Sequence, residues 1–258
     1  MKEDNKIVIV GLGEVGRPLL NLLSDNYNVI GVDIAPPREP IGAVDVLHIC
    51  YPFEIKDFVG ETARYIDMFK PKVTVINSTV GVGTTRRVAE RSGTPVVHSP
   101  VLGKHARMLE EMRSYTKFLG GVEAASTQFA AEHFQGAGLK TKTLSAPEAT
   151  ELAKLTETTY FGVMIAYAQE VERYCDKAGQ SYEEVVSFYG EVPFFPKTKY
   201  FPGVIGGHCV LPNIEILRKL DDSNLLAAVK LSNKAKLDRE AARKAAAEQN
   251  LKPVETRG

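Results

Sequence analysis

The stretch KIVIVGLGEVGRPLLNLLSDNYNVIGVD, Lys6 to Asp33, decides the fold. Lys6 to Val10 is apolar and β-branched enough for a buried parallel strand. Gly11, Gly13 and Gly16 follow in the spacing G-x-G-x-x-G. Gly11 permits a tight turn out of the strand, Gly13 lets backbone approach a pyrophosphate, and Gly16 lets the next helix lie against the sheet. Glu14 and Val15 complete the loop, and Leu19, Leu20, Leu22 and Leu23 recur at helical spacing. The helix N-terminus offers free N–H groups and partial positive charge to phosphates. A second apolar strand, Asn28 to Val32, ends on Asp33, whose carboxylate is placed to accept from ribose hydroxyls. A lone glycine motif is weak, but here strand, helix and acid stand together. The pattern predicts a dinucleotide site; the alternative is a glycine turn with no ligand. Asp33 favours NAD, because a carboxylate repels a 2′-phosphate, while Arg38 close behind leaves NADP open.

The remaining sequence narrows the class. The 258 residues suit one large domain or two modest ones, and 44% hydrophobic with 25% charged content is ordinary for a globular protein. Net charge is zero, which argues against a nucleic-acid binder. No apolar run approaches the roughly 20 residues of a membrane span. The N-terminus MKEDNKIVIV lacks a signal-peptide layout. Cys50, Cys175 and Cys209 form no C-x-x-C pair, so a reducing cytoplasm is the expected home.

Only eleven residues, IAPPREPIGAV, separate Asp33 from Asp45. A Rossmann unit would place a helix and third strand there, but a crossover needs about a dozen residues. The reading is a trimmed loop. Strands follow at Val44–Cys50, Val73–Ile76 and Pro95–His98, with helices at Phe53–Phe69 and from the GVGTTR run to Arg91. Ligands in such sheets lie at the carboxyl ends of strands. Cys50, Tyr51, Ser78 and Thr79 are therefore candidate linings, against ordinary strand-end polarity. Tyr115–Gly121 and Leu139–Leu144 read as strands around a helix near Ser126–Phe134.

From Pro147 the texture changes to helix. Ala149–Ala178 is one long helix ended by Gly179, and Ser181 with Glu184 has capping-box spacing. Val192–Gly207 reads as a loop, and Asn213 to about Asn250 as helix. The expected organisation is a Rossmann-like parallel sheet domain over 1–146 and a smaller all-α domain, built on the long helix, over 147–258.

With these motifs in view, the chain resembles the UDP-glucose/GDP-mannose dehydrogenase family over nearly its whole length. The resemblance runs through the glycine loop with Pro18, NSTVGVGTT (Asn77–Thr85), HSPVLGKHA, KFLGG, ATELAKLTETTY, PGVIGGHC (Pro202–Cys209) and the helix bearing Asn233. More remotely the layout is similar to 6-phosphogluconate and β-hydroxyacid dehydrogenases. The resemblance implies a Rossmann domain, then a helical domain whose long helix, here 149–178, pairs with its copy in a homodimer. It implies oxidation of a sugar C6 alcohol through an aldehyde to a carboxylate with two hydride transfers to NAD. Cys209 matches the nucleophile that captures the aldehyde, and Lys154 the lysine that stabilises the alkoxide.

The residues agree with that. Cys209 follows two glycines, so backbone can approach a ligand closely, and Lys154 or His208 is available to polarise the thiol. A lone cysteine is most often a small buried hydrophobe; the GGHC context shifts the reading to function. Lys154 alone would read as a solvated helix lysine.

The chain also departs from the family. Val101 replaces a glutamate, Thr158 an asparagine and Asn213 an aspartate. Proton transfer by a positioned side chain is worth about 10²–10⁴-fold, so the two-step oxidation loses groups it needs; His105 and His208 are the available replacements. The sequence stops where the family's third, nucleotide-binding domain would begin, which implies a short form. Lys104, His105, Thr158 and Asn213 are candidate substrate residues, and Arg107 and Arg113 join Lys104 as anion holders or as a charged surface. His98, His105, His208 and Cys209 show no known metal-ligand spacing, so no metal is expected. Three functions remain: a compact dehydrogenase for a small-molecule substrate, a non-catalytic dinucleotide-binding sensor or accessory protein, and a one-step β-hydroxyacid-type reductase with Lys154 as acid.

Overall fold

The computed structural model describes residues 3–34, 42–103, 107–193, 200–207 and 209–250. They divide into two compact units, Met1–Lys154 and Leu155–Gly258.

The first unit is built on a seven-stranded sheet. Its strands are β1 (Glu3–Val10), β2 (Tyr27–Val32), β3 (Val46–Ile49), β4 (Val73–Ile76), β5 (Val96–His98), β6 (Lys117–Gly121) and β7 (Thr141–Thr143). The spatial order is β2-β1-β3-β4-β5-β6-β7, parallel throughout except for the antiparallel β5–β6 pair. Strand β1 reads IVIV because both faces are covered. Ile7 and Ile9 pack with Leu19, Leu22 and Leu23 of α1 (Gly16–Leu23) and with Ala130 and Phe134 of α5 (Ala124–Gly136). Val8 and Val10 pack on the opposite side with Phe58, Ile66 and Phe69 of α2 (Phe58–Phe69) and Val88 of α3 (Thr84–Ser92). The connecting helices therefore change faces between β1 and β3, which is where ligands bind in such sheets.

Between β2 and β3 the described residues, 33–34 and 42–45, form neither helix nor strand; the rest of the segment read as a trimmed loop, Arg38 included, lies outside the described residues. Helix α2 begins at Phe58, later than the Phe53 expected from apolar spacing, because Asp57 caps it by accepting from Gly60 N–H at 2.9 Å. A short helix, α4 (Met108–Ser114), was not expected from the sequence.

The second unit is helical, and α6 (Pro147–Ala178) runs on into it from the first. Gly179 follows at φ +67°, and Gln180 N–H returns to Cys175 O at 2.9 Å, which closes the helix end. Ser181 caps α7 (Tyr182–Ser187) through Glu184 N–H. The last segment is not the single helix expected. It divides into α8 (Val210–Arg218) and α9 (Asn224–Asn250), because Asp221, Asp222 and Ser223 turn the chain, with Ser223 N–H bonded to Asp221 O. The core of this unit joins Ala166 to Ile205, Val210, Ile214, Leu226 and Val229. Among the described residues no helix is long and apolar enough to cross a membrane.

Candidate functional site

The glycine turn has the geometry of a dinucleotide cradle. Gly11 sits at φ +91°, and a Cβ there would lie 2.7 Å from Tyr51 N; at Gly16 one would lie 1.8 Å from Gly11 O. Only glycine fits either position. At Gly13, by contrast, a Cβ would meet nothing within 4 Å, so the turn is open on the side where a phosphate would approach. Helix α1 starts after Val15 with no side-chain cap; Arg17 N–H bonds back to Gly13 O at 3.2 Å and Pro18 has no N–H, so Gly16 at its first position is where the helix end meets the turn. Glu14 and Val15 complete the turn, and Asp33 is exposed just beyond the end of β2. The open turn and uncapped helix fit a pyrophosphate, and the acid fits a ribose.

The neighbouring strand ends are partly committed to structure. Tyr51 Oη shares a 2.6 Å hydrogen bond with Thr62 Oγ1, its ring packs on Phe58 and Tyr65, and burial pushes its phenol above the ordinary range. Ser78 Oγ donates to Tyr51 O at 2.6 Å. Thr79 is half-buried beside it. Val101, in the place of the family glutamate, is buried in the apolar core of the sheet.

Behind this edge lies a buried polar chain that sequence reasoning missed. Lys117 Nζ donates to Ser99 O at 2.6 Å, Asn77 Oδ1 at 3.2 Å and Pro100 O at 3.3 Å. A lysine only donates, so the Asn77 oxygen faces it and the Asn77 amide nitrogen faces His48 Nδ1 at 3.1 Å. His48 Nδ1 therefore accepts, and its Nε2–H donates to His133 Nε2 at 3.0 Å. His98 Nε2 faces Ser78 O at 3.1 Å, and its Nδ1 lies 2.8 Å from Thr150 Oγ1. Burial holds His98 down to about 3 and His133 to about 4, and pushes His48 well below its usual value. It pushes the Cys50 thiol up to about 12. A second missed residue is Glu151 on α6. Its fully buried carboxylate accepts from Gly83 N–H, Thr85 N–H and Thr85 Oγ1 at 2.6, 2.8 and 2.7 Å, and so caps α3.

Lys154, three residues on, is half-buried at the end of the first unit. Its charge lowers the basicity of both Lys117 and His98. Arg107 and Arg113 are surface residues paired with Glu111 and Asp25, at 3.0 and 2.9 Å. Lys104, His105 and His208 lie outside the described residues.

In the second unit, Cys209 is exposed and occupies the N-cap position of α8. Gly207, two residues earlier, turns the chain at φ +76°. Asn233 clamps the loop before it, its Oδ1 accepting from Ile205 N–H at 2.7 Å and its Nδ2 donating to Ile205 O at 2.9 Å. Gln169 Nε2 adds a bond to Gly203 O at 2.7 Å. These contacts fix the PGVIGG segment that delivers the thiol. Asn213 is buried on α8, and Thr158 Oγ1 donates to Glu157 at 3.1 Å. Among the described residues no cluster of three or more His, Cys, Asp or Glu side chains suits a metal ion.

Residues 148–236 match the model of the UDP-glucose/GDP-mannose dehydrogenase family, central domain. Over those residues the chain is similar to the UDP-glucose/GDP-mannose dehydrogenase family. A UDP-N-acetyl-D-mannosamine dehydrogenase of Methanococcus vannielii is 26% identical over 255 residues, covering 80% of this chain and 59% of that protein. The chain thus spans about three-fifths of the length of the curated relatives it matches. Among solved structures, the UDP-D-ManNAc dehydrogenase of Pyrococcus horikoshii superposes with a TM-score of 0.77 at 20% identity, covering 93% of this chain and 72% of that one. The 3-hydroxyisobutyrate dehydrogenase of Mycobacterium tuberculosis gives 0.69 at 18% identity, covering 91% and 94%. Both support the fold of a Rossmann-like sheet followed by helices.

Proposed function

We propose that this chain is an NAD-dependent oxidoreductase acting on a sugar nucleotide of the UDP-N-acetylmannosamine kind. The observation that carries the reading is the cradle at Gly11–Gly16, open at Gly13 and backed by an uncapped helix. Gly11, Gly13, Glu14, Val15 and Gly16 would hold the pyrophosphate, Asp33 the adenosine ribose, and the strand ends at Tyr51, Ser78 and Thr79 the nicotinamide half. When bound, NAD supplies the acceptor for hydride from the substrate carbon.

The protein's own residues do the rest. Lys154 donates a hydrogen bond to the alcohol oxygen, whose proton passes to solvent as the hydride leaves the carbon. The Cys209 thiol adds to the resulting aldehyde, its proton passing to the aldehyde oxygen, and gives a thiohemiacetal. His208, the preceding residue in sequence, is assigned to move that proton. Oxidation of the thiohemiacetal, its hydride going to a second NAD and its proton to solvent, would leave a thioester; water would break its C–S bond to give the carboxylate and the free thiol. Lys104, His105, Thr158 and Asn213 are assigned to substrate.

The test is NADH absorbance with a panel of UDP-sugars. The wild-type protein is expected to reduce NAD with at least one amino-sugar nucleotide, and Cys209→Ser and Lys154→Ala to lose about a hundredfold or more in rate. Full activity in both variants would remove the assigned roles. Val101, sealed in the core where a carboxylate is expected, favours a second reading: NAD binding without turnover. Tight NAD binding with no reduction across the panel would select it.

We also propose a homodimer through α6. Tyr160, Tyr167 and Tyr174 recur at seven-residue spacing and are 55%, 57% and 57% exposed, a polar-edged aromatic stripe suited to a second copy. A monomer mass in light scattering at micromolar concentration would overturn this.

A further inference from the structure

We propose that Lys117 is a positioning residue, whose charged amine holds the Ser99–Gly103 segment against the carboxyl edge of the sheet and releases it on losing a proton. The three acceptors around Nζ come from the chain just beyond β4 and just beyond β5: Asn77 Oδ1, Ser99 O and Pro100 O. An ammonium has three N–H groups for three acceptors. A neutral amine has two, and turns a lone pair toward an oxygen. Deprotonation therefore leaves one buried acceptor without its donor.

The surroundings put that change at a usable pH. Burial pushes Lys117 down to about 7, and the Lys154 charge on α6 works in the same direction. The other titratable groups facing it are His48 on β3, Cys50 beyond it and His98 on β5. Burial holds both imidazoles below their usual value, His98 at about 3, and the thiol stays protonated to about 12. From α5 the Phe134 ring lies 5.1 Å from its amine. Between pH 6 and 8.5 Lys117 is thus the group in this cluster whose charge changes. The segment it ties down carries Val101 at the sheet edge assigned above to the cofactor, and the consequence for binding rests on that reading; the hydrogen bonds do not.

The test is amide hydrogen exchange at Val101, Leu102 and Gly103, expressed as protection relative to free-peptide rates at each pH, with Val73–Ile76 of β4 as reference. In the wild-type protein, protection of the three amides is expected to fall about fivefold to a hundredfold between pH 6 and 8.5, the effect of one orphaned buried acceptor. The β4 amides should hold steady. In Lys117→Met protection should be low at pH 6 and flat with pH. A flat wild-type profile, or an unchanged slope in Lys117→Met, would overturn the proposal. The wild-type series needs no variant, so a misfolded Lys117→Met leaves the test intact. Nor does exchange need turnover. A protein that reduced no NAD would still report on Lys117, and an active one with pH-flat exchange would refute Lys117 alone.

Discussion

Glu151→Ala is expected to destabilise the first unit by about 3 kcal/mol, because it strips two buried donors and one half-buried donor of their acceptor at once. Gly83 N–H, Thr85 N–H and Thr85 Oγ1 all end on this carboxylate. Each buried donor left unpaired costs about 1–3 kcal/mol. Two offsets lower the sum. The buried carboxylate is itself held at a cost, since burial pushes its pKa up against the bonds from Thr85 and Gly83 that pull it down. Water entering the space left by the side chain would also satisfy part of the loss. For a unit of this size, about 3 kcal/mol lowers Tm by roughly 6–12 °C. The loop affected, Gly81–Thr85, leads directly from Ser78 and Thr79, so weaker NAD binding should accompany the lower Tm. Glu148→Ala is the control. Glu148 also joins α6 to α3, through Arg86 at 2.7 Å, but that pair lies in solvent and should barely move the midpoint. A denaturation midpoint for Glu151→Ala that matched the control would refute the cap.

Glu151 shows where the sequence stops being readable. The glycine turn was legible because its parts are neighbours in the chain: a strand, three glycines at fixed spacing and a helix make one local signal. The strand ends at Cys50 and Ile76 were legible because apolar runs stop there. The bond from Thr85 to Glu151 joins residues 66 positions apart, and no periodicity encodes it. Lys117 and Asn77 are 40 apart, and His48 and His133 are 85 apart. One signal did exist, a lysine opening the otherwise apolar strand KFLGG, where a charge demands buried partners. Helix α4 escaped for a different reason. Its seven residues carry Glu110, Glu111 and Arg113, and the apolar set Met108, Leu109 and Met112 is too short to establish a period. The break between α8 and α9 was hidden because the flanking segments are both strong helix formers, and the turn at Asp221–Ser223 is only a few residues long.

Acidification is expected to unfold the first unit near pH 4.5 through three histidines. His48, His98 and His133 are all buried and neutral, and burial depresses each of them in the fold. The direction follows from linkage. A base whose folded pKa lies below its unfolded value binds more protons unfolded, so stability is intact above the unfolded value of about 6.5 and declines as pH drops toward the folded one. For His133 that window runs from about 6.5 to about 4, and for His98 to about 3. At pH 4.5 His98 and His133 each favour the unfolded chain by on the order of 2–3 kcal/mol, and His48 acts in the same direction. His98 and His133 together reach about 5 kcal/mol before His48 is added, against a typical total of about 5–15. The geometry gives a reason beyond burial. The His48–His133 hydrogen bond holds one proton between two facing nitrogens 3.0 Å apart, and a second proton there would set two N–H groups against each other. Asp45, whose carboxyl Lys72 and Lys6 N–H hold down against burial, adds a smaller loss in the same direction at lower pH. Imidazole resonances followed from pH 8 to 5 should stay fixed for all three rings while the protein remains folded, and unfolding free energy should fall with pH across that range. Any one of the three titrating near 6.5 in the folded protein would break the account for that ring.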